Sequence, residues 1–232
     1  MAGKYGQRIR HIPGIVFALC LFLACSAAWA AGPTKLIGES AKVLKEMSLQ
    51  KDAGTMGDLL SKAKGVVVFP SVVKAGLVFG GTYGEGLVLK RDGSGRWYGP
   101  SFVKIAGASW GLQIGAQSIA LVLVITNDRG LEGFMGNNMK LDGDLAVAAG
   151  PVGRRGELGT DINLKASIYS YSMTKGLFAG ISLEGAAVNV DTTSNNEYWK
   201  TTMSAKNALA KRASDARIRS VTAELDRIIS RR

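Results

Sequence analysis

Two short patterns in this 232-residue chain contain residue types that could do chemistry. Ser71-Val72-Val73-Lys74 has the S-x-x-K spacing in which a lysine activates a serine nucleophile for acyl transfer. Residues 80–86, GGTYGEG, resemble a glycine-rich phosphate loop, which requires a helix immediately after it. No S-D-N or K-T-G pattern follows the first, and strand-like alternation flanks the second. We therefore expect residues 71–74 to form a loop after a strand and residues 80–86 to belong to a strand.

A third pattern could bind an anion. Arg154 and Arg155 are adjacent in the glycine-rich segment 150–156, where two guanidinium groups could bind a phosphate or a carboxylate. The alternative is a solvated loop. Aromatic pairs, Trp97-Tyr98 and the two tyrosines of residues 169–172, lie near basic residues, but period-two spacing also fits ordinary sheet packing.

The distribution of histidine and cysteine excludes several enzyme classes. His11, Cys20 and Cys25 are the only residues of these types, and all precede residue 26. If residues 1–30 are removed, the chain has no Cys–His or Ser–His–Asp catalysis, no zinc site built on these ligands and no disulfide. The carboxylates show no diagnostic pairing. We expect no catalytic residues, no metal and no cofactor.

The N-terminal residues 1–30 have the pattern of an export signal. Lys4, Arg8 and Arg10 precede an uncharged apolar stretch that ends in Ala28-Trp29-Ala30, a suitable cleavage site. Two alternatives stay open, lipidation at Cys25 and an uncleaved membrane anchor. All three place the remaining chain outside the cytoplasm, in the periplasm or at an envelope surface.

The net charge is +11, and the positive excess lies mainly near the C-terminus. Residues 201–232 contain eight basic and three acidic residues. A positive surface suits anionic lipid or nucleic acid, and an exported protein meets membranes more readily than nucleic acid. Solubility alone is the competing explanation.

The elements that position these residues follow from hydrophobic periodicity. Residues 35–48 predict an amphipathic helix with an apolar face and a second face carrying Lys35, Lys42 and Lys45. Gly54 and Gly57 predict a break before a short helix at residues 58–64.

From residue 65 the period changes to that of strands. Residues 66–69 predict a buried strand closed by Pro70, and residues 77–90 predict a strand with glycines on one face. A turn at residues 92–95 follows, then a return strand interrupted by Pro100 and a glycine-spaced strand region at residues 101–116. Further strands are predicted at 119–125, 144–149, 162–172 and 177–191, a short Asn127-capped helix at 129–135, and a helical tail at 204–231.

Five ordered segments resemble the SYLF domain family. They begin at Ala63 (AKGVVVFPSVVKAGLVFGG), Gly84 (GEGLVLKRDGSGRWYGPSF), Gly107 (GASWGLQIGAQSIALVLV), Ala148 (AAGPVGR) and Ile168 (IYSYSMTKGLFAGISLEG). The resemblance covers residues 63–185, with the predicted first helices in the expected place. Ala120 departs from the aspartate frequent in the family.

The resemblance implies a lipid-binding module without catalytic activity. It implies binding of anionic phospholipids, phosphoinositides or actin for eukaryotic members, and a role in membrane binding for the N-terminal amphipathic helix. In a bacterial exported member we expect another anionic lipid or an acyl chain rather than phosphoinositide or actin.

These observations define our expectations. The fold class is α+β, a glycine-rich twisted antiparallel sheet that could curve into a barrel, with N-terminal helices and a basic C-terminal helix. The divisions are a signal peptide at 1–30, a SYLF-like domain at 31–200 and the basic helix at 201–232. The expected function is non-enzymatic binding of anionic phospholipid or a membrane surface in the bacterial envelope, and not of nucleic acid. The alternative is a structural or protein-interaction module without a lipid ligand. The candidate lipid-binding residues are Lys35, Lys42, Lys45, Arg154 and Arg155.

Overall fold

The computed structural model describes residues 32–50, 53–76, 79–110, 115–136, 138–141, 147–150, 166–174, 177–179, 183 and 185–231. These residues belong to one compact unit, Gly32–Arg232. The predicted signal segment, residues 1–30, lies outside the described residues, so its cleavage and its alternatives stay predictions.

The described helices and strands follow one another in a mixed α+β order, which confirms the predicted fold class. Two helices come first: α1 (Pro33–Ser48) and α2 (Ala53–Lys62). The sheet and its insertions are β1 (Gly65–Gly76), β2 (Phe79–Arg91), β3 (Trp97–Trp110), β4 (Gly115–Ile125), α3 (Asp128–Gly133), β5 (Asn138–Lys140), β6 (Val147–Ala149), β7 (Ile168–Thr174), β8 (Leu177–Ala179) and β9 (Ala186–Val190). The chain ends with α4 (Thr192–Trp199), α5 (Ala205–Ala208) and α6 (Arg219–Ser230).

The strands form one curled half-barrel sheet in the order β5-β9-β3-β2-β1-β4-β7-β6, with β8 also paired to β7. Among the described strands the pairings are antiparallel except for β6 and β7, which run parallel. β1 and β4 are central. Their continuous apolar runs reflect burial on both faces, as expected of interior strands.

Alternate residues of the central strands enter two different cores. Val66 and Val68 contact the helix-side core, which α1, α2 and α6 cover. Val67 and Phe69 point to the other face, into a second core that includes residues from α3, β5 and β9. Helices therefore cover one face of the sheet, and on the other face the curled strands themselves, with α3, enclose the second core.

Several predicted boundaries are wrong at glycine and proline. Gly54 and Gly57 lie inside α2 rather than at a break, and a Cβ at Gly57 would collide with the carbonyl oxygen of Ile228 on α6. Pro70 does not end β1, because a bulge between Phe69 and Val72 accommodates it. Pro100 lies within β3, joined to Gly99 by a cis peptide bond.

Three longer predicted segments are divided differently in the structure. The region 101–116 contributes to two strands, so Gly107 lies on β3 and Gly115 on β4. The region 177–191 contributes β8 and β9, which pair at distant places in the sheet. The predicted tail helix is interrupted, with α5 and α6 separated by a non-helical segment. By contrast, the structure confirms three predictions: the helix α1, the strand at 119–125 and the Asn127 cap of α3.

Candidate functional site

The three candidate lysines of α1 lie on the exposed side of the helix. Lys42 and Lys45 are exposed, and the Lys35 side chain is 70% exposed. Lys35 Nζ lies 3.8 Å from a Glu39 carboxylate oxygen, a distance that gives a weak, solvent-screened pair. These lysines can therefore approach an external anion without rearrangement of the fold.

The apolar side of α1 is part of the helix-side core. Leu36, Ile37, Leu44 and Met47 are each no more than 3% exposed. Insertion of this face into lipid would require α1 to leave the sheet and would expose the core beneath it. In the structure, α1 therefore offers its charged side alone to an external surface.

The other two candidate residues, Arg154 and Arg155, lie outside the described residues. The proposal that they bind an anion stays a prediction.

The S-x-x-K pattern forms no catalytic pair. Ser71 and Lys74 lie within β1, so the predicted loop at 71–74 is wrong. Residues three apart on a strand point to opposite faces, which separates the serine from the lysine. The Ser71 hydroxyl instead lies 2.8 Å from the Ser118 hydroxyl on β4, and burial lowers the pKa of Lys74.

The structure brings together a second set of basic residues near the start of β3. Tyr98 pairs with Lys90 of β2 on one side and, through an isolated bridge, with Arg212 on the other. Lys90 Nζ lies 5.7 Å from the Tyr98 ring centroid and the Arg212 guanidinium carbon lies 5.8 Å from it. We call these three residues the Tyr98 row. They form a ladder of cation, aromatic ring and cation across the edge of the sheet.

The segment after α5 is held in place by backbone hydrogen bonds to β3. The Gly99 N–H donates to the Lys211 carbonyl at 2.8 Å, and the Ala213 N–H donates to the Trp97 carbonyl at 3.0 Å. Hydrogen bonds on both sides of the Tyr98–Arg212 pair fix its register, and such a pair brings side chains close together. Lys211, pointing to the opposite face, lies 5.8 Å from the Trp199 ring centroid.

Trp97 and Asp92 anchor this end of the sheet. Trp97 Nε1–H donates to Asp226 of α6 at 2.8 Å, which ties β3 to the helical layer. Asp92 accepts hydrogen bonds from the Arg96 N–H, the Ser94 hydroxyl and the Tyr98 hydroxyl. These donors, led by the Arg96 N–H, hold the pKa of Asp92 well below its ordinary value. Asp92 therefore stabilises the β2–β3 turn and forms an ion pair with Arg96, in which its Oδ2 lies 2.9 Å from the Arg96 Nε.

Sequence reasoning found only part of this arrangement. The proximity of Trp97-Tyr98 to basic residues is visible in the sequence, and so is the basic excess of residues 201–232. The pairing of Arg212 with Tyr98 joins residues more than one hundred positions apart. No periodic signal in residues 209–213 indicates this β-bridge.

Two kinds of feature are absent from the described part of the chain. No group of three or more His, Cys, Asp or Glu side chains there is arranged to hold a metal ion. None of the helices in the described ranges combines the length and the apolar character needed to cross a bilayer.

Comparison with known proteins identifies the family. A sequence model of the family described as "Ysc84: Las17-binding protein actin regulator" matches residues 106–228. The chain belongs to this Ysc84/SYLF family, which confirms the resemblance seen in the five ordered segments.

Three named relatives are between 32% and 39% identical to this chain over the aligned residues. SH3 domain-containing YSC84-like protein 1 of Xenopus laevis is 37% identical over 176 residues, covering 72% of this chain and 52% of the relative. Its Mus musculus counterpart is 39% identical over 142 residues, covering 61% of this chain and 42% of the relative. LAS seventeen-binding protein 3 of Saccharomyces cerevisiae is 32% identical over 158 residues, covering 67% of this chain and 34% of the relative.

These relatives are considerably longer than the region they share with this chain. The match spans about half of the Xenopus protein and a smaller share of the other two. None of the three names denotes an enzyme, and the family is described as one of actin regulators.

Proposed function

We propose that this chain is a non-enzymatic module that binds anionic phospholipid at a membrane surface. The observation that carries the proposal is the division of α1 into an exposed side bearing Lys35, Lys42 and Lys45 and an apolar side buried in the core. The charged side is available in the folded domain. Attachment through charge alone therefore requires no unfolding.

The expected affinity from these lysines is modest. Each basic residue close to an anionic membrane contributes about 1 kcal/mol, and salt screens the attraction. Three lysines would together supply about 3 kcal/mol, and Glu39 offsets part of the contribution of Lys35. Stable attachment by charge needs further basic side chains. After residue 200, the exposed residues Lys206, Arg212 and Arg219 form no ion pair within the described part of the chain and could supply them.

The proposal includes export of the chain to a bacterial envelope. Its support is the sequence of residues 1–30, with a basic start, an apolar stretch and an alanine-rich cleavage site. Lipidation at Cys25 would add an anchor beside the electrostatic contact. Intact mass of the protein from the envelope fraction tests this part, because a chain starting at Ala31 and an acylated chain starting at Cys25 differ in mass.

Charge reversal on α1 tests the site. The variant Lys35→Glu/Lys42→Glu/Lys45→Glu should no longer float with vesicles containing phosphatidylglycerol, because it replaces three attractive charges with three repulsive ones. The matched control, Lys62→Glu/Arg129→Glu/Lys140→Glu, makes the same change at exposed residues of α2, α3 and β5. It should retain binding. Unchanged flotation of the α1 variant would exclude α1 as a contact site.

A second candidate function is supported by the family. Its description names Las17 binding and actin regulation, and the yeast relative is named a LAS seventeen-binding protein. On that basis the domain would be a structural or protein-interaction module without a lipid ligand. Failure of the wild-type chain to bind neutral or anionic vesicles, together with capture of a defined protein partner, would favour this function over lipid binding.

A further inference from the structure

The exposed cations of the described chain differ in how far carboxylates neutralise them. In the helical layer, Lys35 pairs with Glu39, and Arg227 pairs with Glu224 at 3.1 Å. At the start of β3, Asp92 is engaged by Arg96. Within the described residues, Lys90, Lys211 and Arg212 form no ion pair. Lys42 and Lys45 on α1, and Lys62 and Arg129 elsewhere, are likewise without an ion pair within the described residues. What distinguishes Lys90 and Arg212 is the Tyr98 ring that lies between them.

We propose that the Tyr98 row is a binding surface for the phosphate headgroups of an anionic membrane. This inference rests on the proposed function and assigns it a site distinct from α1. Its members are Lys90 on β2, Tyr98 on β3 and Arg212 in the segment between α5 and α6.

The aromatic rings position the cations without using their hydrogen-bond donors. A cation against a ring is held by the electrostatic field of the ring. The ammonium group of Lys90 and the guanidinium group of Arg212 therefore keep N–H groups available for phosphate oxygens. Neighbouring strands are about 4.8 Å apart, so the two cations, two strands apart, lie roughly 10 Å from each other. This spacing allows them to contact separate phosphates.

The arrangement favours a lipid surface over a nucleic acid. Base stacking needs an open aromatic face, whereas the half-buried Tyr98 ring has a cation beside it on each neighbouring strand. A partly buried tyrosine next to lysine and arginine is typical of a membrane–water interface.

The test measures binding of the full chain to phosphatidylcholine vesicles with and without phosphatidylglycerol. The variant Lys90→Gln/Arg212→Gln removes both cations of the Tyr98 row. It should bind the anionic vesicles about 30-fold more weakly, the combined effect of two surface charges. The control Lys62→Gln/Arg129→Gln removes one lysine and one arginine from α2 and α3 and should change the affinity less than threefold. Thermal melting of all three proteins shows whether the fold is retained.

The outcomes separate this inference from the proposed function. If the wild-type chain binds anionic vesicles and both double variants weaken binding equally, the Tyr98 row is excluded while electrostatic membrane binding stands. If the wild-type chain binds no vesicle, the proposed function fails and the row fails with it. Tighter binding of the wild-type chain to a single-stranded oligonucleotide, or release from vesicles by equimolar inorganic phosphate, would overturn the assignment to a membrane.

Discussion

Two glycines of β2 lie where the neighbouring backbone leaves no room for a side chain. A Cβ at Gly84 would lie 2.8 Å from the Ser71 carbonyl oxygen, and one at Gly86 would lie 2.6 Å from the Val68 carbonyl oxygen and closer still to the Phe69 ring. At Gly107 the nearest atoms, from Gly185 and Ala186, would be 2.9 Å away. Close packing therefore explains these three positions, and they do not line a ligand slot.

Gly84→Val should destabilise the domain by about 2–3 kcal/mol, because the new side chain forces β1 and β2 apart. For a domain of this size that corresponds to a fall in melting temperature of roughly 5–10 °C. The matched control is Gly81→Val on the same strand, where a Cβ would meet no atom within 4 Å. It should change stability by less than about 0.5 kcal/mol.

Thermal unfolding of Gly84→Val and Gly81→Val tests whether close packing explains the glycine at residue 84. A Gly84→Val protein that melts like the wild type but no longer copurifies with lipid would contradict the packing explanation and indicate a ligand slot.

At the scale of elements, α6 completes the helix-side core. Val221, Leu225 and Ile228 are fully buried, and α6 packs against both α1 and α2. Arg219 and Arg227 lie on its outer side and are balanced by Glu224 and Asp226, so α6 itself is not basic. The helix is bound to the domain through its apolar face. It cannot present that face to a partner while the core is intact.

Leu225→Ala should therefore lower the free energy of unfolding by about 2–5 kcal/mol, the range for truncation of a fully buried leucine. Ser220→Ala, an exposed position on the same helix, is the control and should be nearly neutral. Chemical denaturation followed by circular dichroism gives both values. Equal stability of the two variants would show that α6 is only loosely attached to the domain.

Local sequence patterns are sufficient to predict some of the helices and strands but not others. The alternating residues of β2, the apolar run of β4 and the amphipathic period of α1 are local patterns, and each predicted its element. Pro70 and Pro100 were predicted to end or interrupt strands because a proline lacks an N–H donor. The structure keeps both strands continuous, in the first case through a bulge whose partners on β4 are about fifty residues away. A local rule contains no information about such a partner.

At the scale of the whole molecule, contacts between distant residues also limit how much of the candidate site the sequence can predict. The exposed lysines of α1 follow from helical periodicity alone and are where the sequence places them. The Tyr98 row depends on the register of three chain segments, residues 90, 98 and 212, and on an isolated β-bridge that no propensity indicates. Composition shows the excess of basic residues but not which of them lie beside Tyr98.

The whole domain also decides between two modes of membrane attachment. Detachment of α1 would give up the burial of its four core residues, whose transfer from water contributes about 1.5–3 kcal/mol each. Electrostatic contact leaves these four side chains buried, so the free energy of their burial is retained. We therefore expect attachment to a membrane with the fold intact, through exposed cations, rather than through insertion of α1.

One measurement tests this central claim most directly: flotation of the wild-type chain with phosphatidylglycerol-containing and pure phosphatidylcholine vesicles over a series of salt concentrations. Electrostatic attachment predicts binding to the anionic vesicles alone, falling steeply as salt shortens the screening length from about 30 Å at 0.01 M to about 8 Å at 0.15 M. Binding that is equal on both vesicle types, or that persists unchanged at high salt, would contradict the account and indicate insertion of apolar residues.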